Sequence, residues 1–189
     1  MANPTSRQTT KKRRTHDRII TAAGRIVRKN GLAAASVSRV MRGAGLTIGG
    51  FYAHFRSKRA MDAEVVQATL GGSSTPWSVD RYLTAAHRDH PERGCAFPAM
   101  LSEVARADEA TRMALARAID QRAHELAGAL RGRRGAAARQ QALATLALCV
   151  GGLALARAMR GHPASDEVLA ACRKSALAGR PPSRRKARG

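Results

Sequence analysis

Apolar residues recur at helical spacing from the first third of the chain onward. Ile19, Ile20, Ala23, Ile26 and Val27 form a stripe with a period near 3.6, which predicts a helix over residues 13–30 ended by Asn30-Gly31. Ser36 suits the N-cap of a short second helix to residue 43, with Val37, Val40 and Met41 inward. Ala44-Gly45-Leu46 then reads as a tight turn in which Gly45 takes a positive φ at no steric cost. Thr47 is expected to cap a third helix over 48–54, anchored by Phe51 and Phe55. Ser57 is expected to cap a fourth over 58–70, carrying Met61, Val65, Val66 and Leu70. The run Gly71-Gly72-Ser73-Ser74-Thr75-Pro76 breaks the pattern and marks a domain boundary.

Beyond it the pattern predicts helices over 78–89, 97–107, 109–131, 136–160 and 165–178, the last capped by Ser165. Leu143, Leu146, Val150, Leu153 and Arg157 repeat at heptad-like spacing, and Val168, Leu169 and Cys172 face inward from the final helix. The longest uncharged apolar stretch, residues 142–156, is 15 residues long. That is short of the ~20 needed to span a bilayer, so it reads as a buried helix, and no membrane partner is expected. Alanine, the best helix former, occurs 39 times; with no alternating strand pattern, the fold class is all-α. The organisation expected is a disordered basic arm (1–12), a head (13–70), a helical body (71–179) and a basic tail (180–189).

Charge separates head from body. The formal net charge is +21, and 28 of the 34 basic residues are arginine. Residues 1–70 hold 14 basic and 3 acidic side chains, whereas residues 71–179 hold 15 and 10. A cationic head on a balanced body is the electrostatic footprint of nucleic-acid binding, and a solvated charged face is its plain alternative. Three dispersed cysteines and a polar, basic start without an apolar run suggest a reducing, cytoplasmic setting.

Two short helices joined by a glycine turn on a small apolar scaffold form the helix-turn-helix pattern, whose second helix enters the DNA major groove. Thr47 supplies a hydroxyl there. Gly49 and Gly50 let backbone approach the duplex, Tyr52 and His54 offer polar tips, and Lys58 brings a cation toward the phosphates.

The segment SVSRVMRGAGLTIGGFYAHFRSKRAMDAEV resembles the DNA-binding head of the TetR family of bacterial transcriptional regulators. The resemblance rests on Ala44-Gly45-Leu46-Thr47, Gly49, Phe51-Tyr52, His54-Phe55 and Ser57-Lys58. It implies an all-α homodimer: a three-helix head linked by a fourth helix to a ligand-binding and dimerisation domain, with repression relieved by a small-molecule effector. It also implies double-stranded DNA with a palindromic operator as partner, and contacts from Ser36, Ser38, Arg39, Thr47, Ile48, Gly49, Gly50, Tyr52, His54 and Lys58. Ile48 departs from the polar or basic residue frequent at that position and suits a thymine methyl instead. Met41 replaces a frequent alanine. Arg13 and Arg14 either reach an adjacent groove or phosphates, or form a solvated arm.

The body resembles the family more loosely, at Gly94-Cys95-Ala96-Phe97-Pro98 with Leu101-Ser102-Glu103 and at the two final helices. Leu143, Leu146, Val150, Leu153, Val168, Leu169 and Cys172 are the candidate dimer interface, Gly151-Gly152 permitting close helix approach. Trp77, Tyr82, Phe97, Met100, Met113 and Leu115 are candidates for an effector pocket, each being equally a core residue. Cys95, near a helix start and Arg93, is either a redox sensor or a structural cysteine. His87, His90 and Cys95 lack a fourth convergent ligand, so neither metal nor cofactor is expected. No P-loop, GxSxG or HExxH pattern supports an enzyme. A non-specific architectural DNA-binding protein is the alternative to a sequence-specific regulator.

Overall fold

The computed structural model describes residues 4–70, 77–129 and 134–178. Helices alone make up its regular structure, with no strand among the described residues. The chain packs as two compact units, Met1–Ser74 with His90–Ile119, and Thr75–Asp89 with Asp120–Gly189.

The first unit is built on α1 (Pro4–Asn30), α2 (Val37–Gly43), a 3-10 helix (Ile48–Ala53) and α3 (Lys58–Leu70). Ile19, Ala23 and Val27 from α1 are fully buried, together with Val40 and Met41 of α2, Phe51, and Met61, Val65 and Val66 of α3. Each of these side chains larger than alanine contributes about 1.5–3 kcal/mol by leaving water. Residues 91–119 join this unit through a 3-10 turn (Pro91–Arg93), α6 (Phe97–Val104) and the first part of α7 (Glu109–Ala129), with Phe97, Met100 and Val104 buried. Compactness therefore does not follow a single cut at residue 71. The apolar face of α6 adds to the head's core.

Three local expectations change here. Residues 4–12, expected to be disordered, form the first turns of α1, with Pro4 at the first position and Arg7, Gln8, Lys11 and Lys12 as good helix formers among weaker Ser and Thr. The third helix of the head is a six-residue 3-10 element, and Thr47 makes no side-chain cap hydrogen bond to it. Gly49-Gly50 weakens α-helix there, and bonds such as Gly50 N–H to Thr47 O (3.1 Å) tighten the turn. Gly45 has the expected positive φ, 66°.

The second unit holds α4 (Val79–Tyr82), α5 (Ala85–Asp89), the second part of α7, α8 (Gly135–Ala158) and α9 (Ala164–Ala178). The single helix expected over 78–89 is broken because the Thr84 hydroxyl accepts from His87 N–H (3.2 Å) and starts a new helix. Ser165 lies inside α9 rather than capping it, and its hydroxyl donates to Ala156 O (2.8 Å).

The pair α8–α9 forms this unit's core. A Cβ on Gly152 would stand 2.7 Å from Cys172 Sγ, so glycine sets the helix separation inside one chain. Leu146, Val150, Leu153 and Leu169, expected at a subunit interface, are buried here, while Leu143, Val168 and Cys172 are half-buried. Cys149 lies in the same core, and burial pushes its thiol up to about 12. The heptad-like stripe is thus buried or half-buried within the chain, and α8's opposite side, including Ala144, Ala147, Gly151, Leu155 and Ala158, is exposed. At 24 residues α8 is long and apolar enough to cross a membrane, longer than the uncharged stretch suggested. Its buried side packs within the second unit.

Candidate nucleic-acid interface

Ser36 caps α2 with extended backbone (φ −63°, ψ 151°), and its Oγ accepts from Arg39 N–H at 3.3 Å. Ser38 Oγ lies 3.3 Å from Ser36 Oγ, and Arg39 donates to Asn30 Oδ1 at 3.1 Å. All three side chains are exposed at the start of α2, where unpaired backbone N–H groups favour an anion.

The 3-10 helix presents its outer side to solvent. Ile48 is 55% exposed and Tyr52 72%, although both are large and apolar. A Cβ added to Gly49 would meet nothing within 4 Å. No packing inside the chain therefore requires glycine there, and the bare backbone faces outward. Phe51 holds the element from behind, fully buried and stacked on Phe55 at 5.4 Å, with Tyr52 edge-on at 5.3 Å.

His54 sits between this element and α1. Its ring lies 6.1 Å from that of His16, which stacks on Phe55 at 4.5 Å and pairs with Glu64 of α3. Partial burial first, then the charges of His16 and Lys12, hold the His54 imidazolium below its ordinary range, so His54 meets neutral pH uncharged. Its Nδ1 is buried with no partner, so its polar capacity is incompletely used inside the chain.

Ser57 caps α3 by accepting from Ala60 N–H (3.1 Å). Lys58, expected as a phosphate contact, is already paired: its Nζ donates to Asp62 Oδ2 at 2.6 Å. Asp62 is 8% exposed; burial raises its carboxyl above the usual range, and Lys58 acts against that rise. Exposed cations outside the sequence-based set flank the site: Lys12 on α1, Arg42 at the end of α2, and Arg56 before α3. Only tertiary packing brings Lys12 to His54; the signal in the sequence was the basic run alone.

Two other features border the head. An open groove of about 520 Å³ runs along α1 past the end of α2, lined by Arg14, Asp17, Arg18, Thr21, Arg25 and Gly43 among others. Arg18 reaches across it to donate to Ala44 O at 2.6 Å, satisfying the C-terminus of α2. From α6, Glu103 Oε2 accepts from Ala33 N–H (2.6 Å) in the turn that leads into α2. Gly31, with φ 86°, makes room for that carboxylate.

The candidate effector residues fall in two units. Trp77 and Tyr82 lie together in the second, rings 5.3 Å apart. Phe97 and Met100 are core residues of the first, Leu115 is half-buried, and Met113 is exposed. Cys95 is half-buried in the first unit, near Arg28. Residues 179–189, including the basic tail, lie outside the described residues.

A capped helix, a glycine turn and a glycine-faced second element, ringed by cations and seated on a three-helix core, define a helix-turn-helix DNA-binding domain. A family profile for bacterial regulatory proteins of the tetR family matches residues 19–65. No curated protein matches the chain.

Solved structures match nearly all of it. A transcriptional regulator from Legionella pneumophila aligns with a TM-score of 0.67 at 16% identity, over 96% of this chain and 99% of that one. A TetR-family regulator from Agrobacterium tumefaciens gives 0.64 at 18%, over 87% and 98%. E. coli NemR in its reduced form gives 0.62 at 20%, over 85% and 96%. Residues 19–65 thus match the tetR-family profile, and the chain as a whole has the fold of TetR-family transcriptional regulators.

Proposed function

We propose that this protein is a homodimeric, cytoplasmic repressor that binds a palindromic DNA operator and is released by a small-molecule effector. The observation that carries the DNA reading is the outward surface Thr47–Tyr52: backbone without side chains at Gly49, flanked by exposed Ile48 and Tyr52 and surrounded by cations. Such a surface is costly in water and fits a groove whose walls are phosphate and whose floor carries base edges and thymine methyls. Ser36, Ser38 and Arg39 position the first helix on the backbone. Ile48 and Tyr52 meet the groove, His54 acts as a neutral hydrogen-bonding group, and Lys58 meets phosphate with its charge moderated by Asp62.

Dimerisation draws support from the free side of α8. Ala144, Ala147, Gly151, Leu155 and Ala158 form an uncharged exposed stripe at helical spacing, and a Cβ on Gly151 would meet nothing within 4 Å. Two such stripes about a two-fold axis pack closely and double the head, so that half-sites stand about 34–36 Å apart. Release by an effector requires it to favour the non-binding conformation by roughly 3 kcal/mol for a hundredfold loss of affinity.

Selection from a random duplex pool by the purified protein tests the reading. The expected result is an inverted repeat bound ~10³-fold tighter than random DNA at fixed salt. Equal affinity for all duplexes overturns it in favour of non-specific architectural binding. Leu155→Glu should halve the sedimenting mass, and an unchanged mass moves the dimer interface elsewhere.

A further inference from the structure

The face of α1 that is buried at Ile19, Ala23 and Val27 continues, one and two turns toward the N-terminus, through His16 and Lys12. His16 still packs, stacked on Phe55 and paired with Glu64. Lys12 lies beyond the apolar core, near enough to His54 for its charge to bear on the ring. From there α1 runs on to Pro4. At 1.5 Å per residue, those nine residues extend about 13 Å past the recognition element.

This projecting stretch carries no negative charge, and its cations cluster at its base. Residues 1–16 contain no acidic residue, and Lys11, Lys12, Arg13 and Arg14 are consecutive and exposed. Successive helical positions differ by 100°, so the four cations surround the helix. Like charges held this close destabilise a helix.

The head offers little to neutralise them: Asp17, four positions from Arg13 and three from Arg14, is the one carboxylate beside them on α1. Its acidic residues up to position 70 are Asp17, Asp62 and Glu64; Asp62 is paired with Lys58 and Glu64 with His16. Among the described residues, none of the four cations has an ion-pair partner. A self-repelling cationic helix end that leaves the head beside His54 is complementary to a polyanion continuous with whatever the recognition element binds.

We propose that the first turns of α1, through Lys11, Lys12, Arg13 and Arg14, form a second DNA-binding element that grips the phosphate backbone outside each half-site. The inference rests on the DNA-binding reading above. It extends the footprint of each head outward along the phosphate backbone. The contacts are to phosphate, so they add affinity and salt dependence without adding sequence preference.

The test uses the full-length protein, a variant with all four residues changed to Gln, and two duplexes bearing the selected site. One duplex ends flush with the outer edges of the half-sites; the other carries one further helical turn (about 10 base pairs) on each side. The wild type should bind the longer duplex roughly tenfold or more tightly, with a salt slope steeper by ~0.9 for each added contact. The variant should gain nothing from the longer duplex, and its loss should be smaller on the flush one, where of the four only Lys12 borders the recognition element. Equal losses on both duplexes, or a site-selective wild type indifferent to flank length, overturns this inference alone. A wild type that selects no site overturns the DNA-binding reading and this element with it.

Discussion

Replacing Gly31 with alanine tests how α6 is tied to the helix-turn-helix. Gly31 has φ 86°, a left-handed conformation that costs an L-residue about 1–2 kcal/mol. The new methyl would overlap Glu103 Oε1 and lie 3.2 Å from Ala99 O. The carboxylate must swing away and surrender its 2.6 Å bond from Ala33 N–H, worth about 1.5 kcal/mol for a half-exposed charged acceptor. Alanine returns about 0.4–1 kcal/mol by restricting the unfolded chain. The net loss is about 2–3 kcal/mol.

Glu103→Ala removes the bond and the obstacle together, so Gly31→Ala in that background should cost only the backbone term, about 1 kcal/mol. Urea denaturation of the four proteins at one protein concentration, followed by far-UV circular dichroism, measures the coupling. A coupling of about 1–2 kcal/mol is expected. Strict additivity would refute the reasoning, because the two positions would then not share the turn.

Other perturbations separate binding from folding. Lys58→Ala should weaken DNA binding about tenfold and also destabilise the fold, because it strands the buried Asp62 carboxylate. The raised Asp62 pKa means that the folded state takes up a proton the unfolded chain does not. The stability gap between this variant and wild type should therefore narrow as pH falls from 7 toward the carboxylate range, and a gap constant with pH would place Asp62 in solvent. His54 has the opposite linkage. Its depressed pKa gives stability that is present above about pH 6.5 and lost as pH falls through the folded value. Thermal melts of His54→Gln should show a shallower acid decline below pH 6.5 and no change at pH 8. The adjacent glycines of α8 should diverge: Gly152→Ala drives a methyl against Cys172 and costs about 1–3 kcal/mol, while Gly151→Ala meets open space and is neutral or stabilising in the chain's own packing. Comparable melting shifts would contradict the α8–α9 packing.

The head was legible because its signals are local. Ser36, Gly45 and Ser57 act within a few residues of themselves, and the apolar stripe of α1 with Phe51 and Phe55 defines a core by period alone. The all-α class followed equally from alanine content and spacing.

Pairings between distant segments were not legible. The side of α8 that α9 covers depends on Cys172 meeting Gly152, and an all-round apolar helix carries no mark of which face is taken. The Lys58–Asp62 pair is four positions apart on one helix and was open to a reading by spacing; what only the fold decides is that Asp62 is buried and so needs that partner. Glu103 fits the backbone of residue 33 only once α6 has packed on the head, 70 positions apart in sequence. Periodicity and capping record what a residue does to its own helix. Burial, charge pairing and close approach depend on what another helix brings to it, and only the assembled fold decides that.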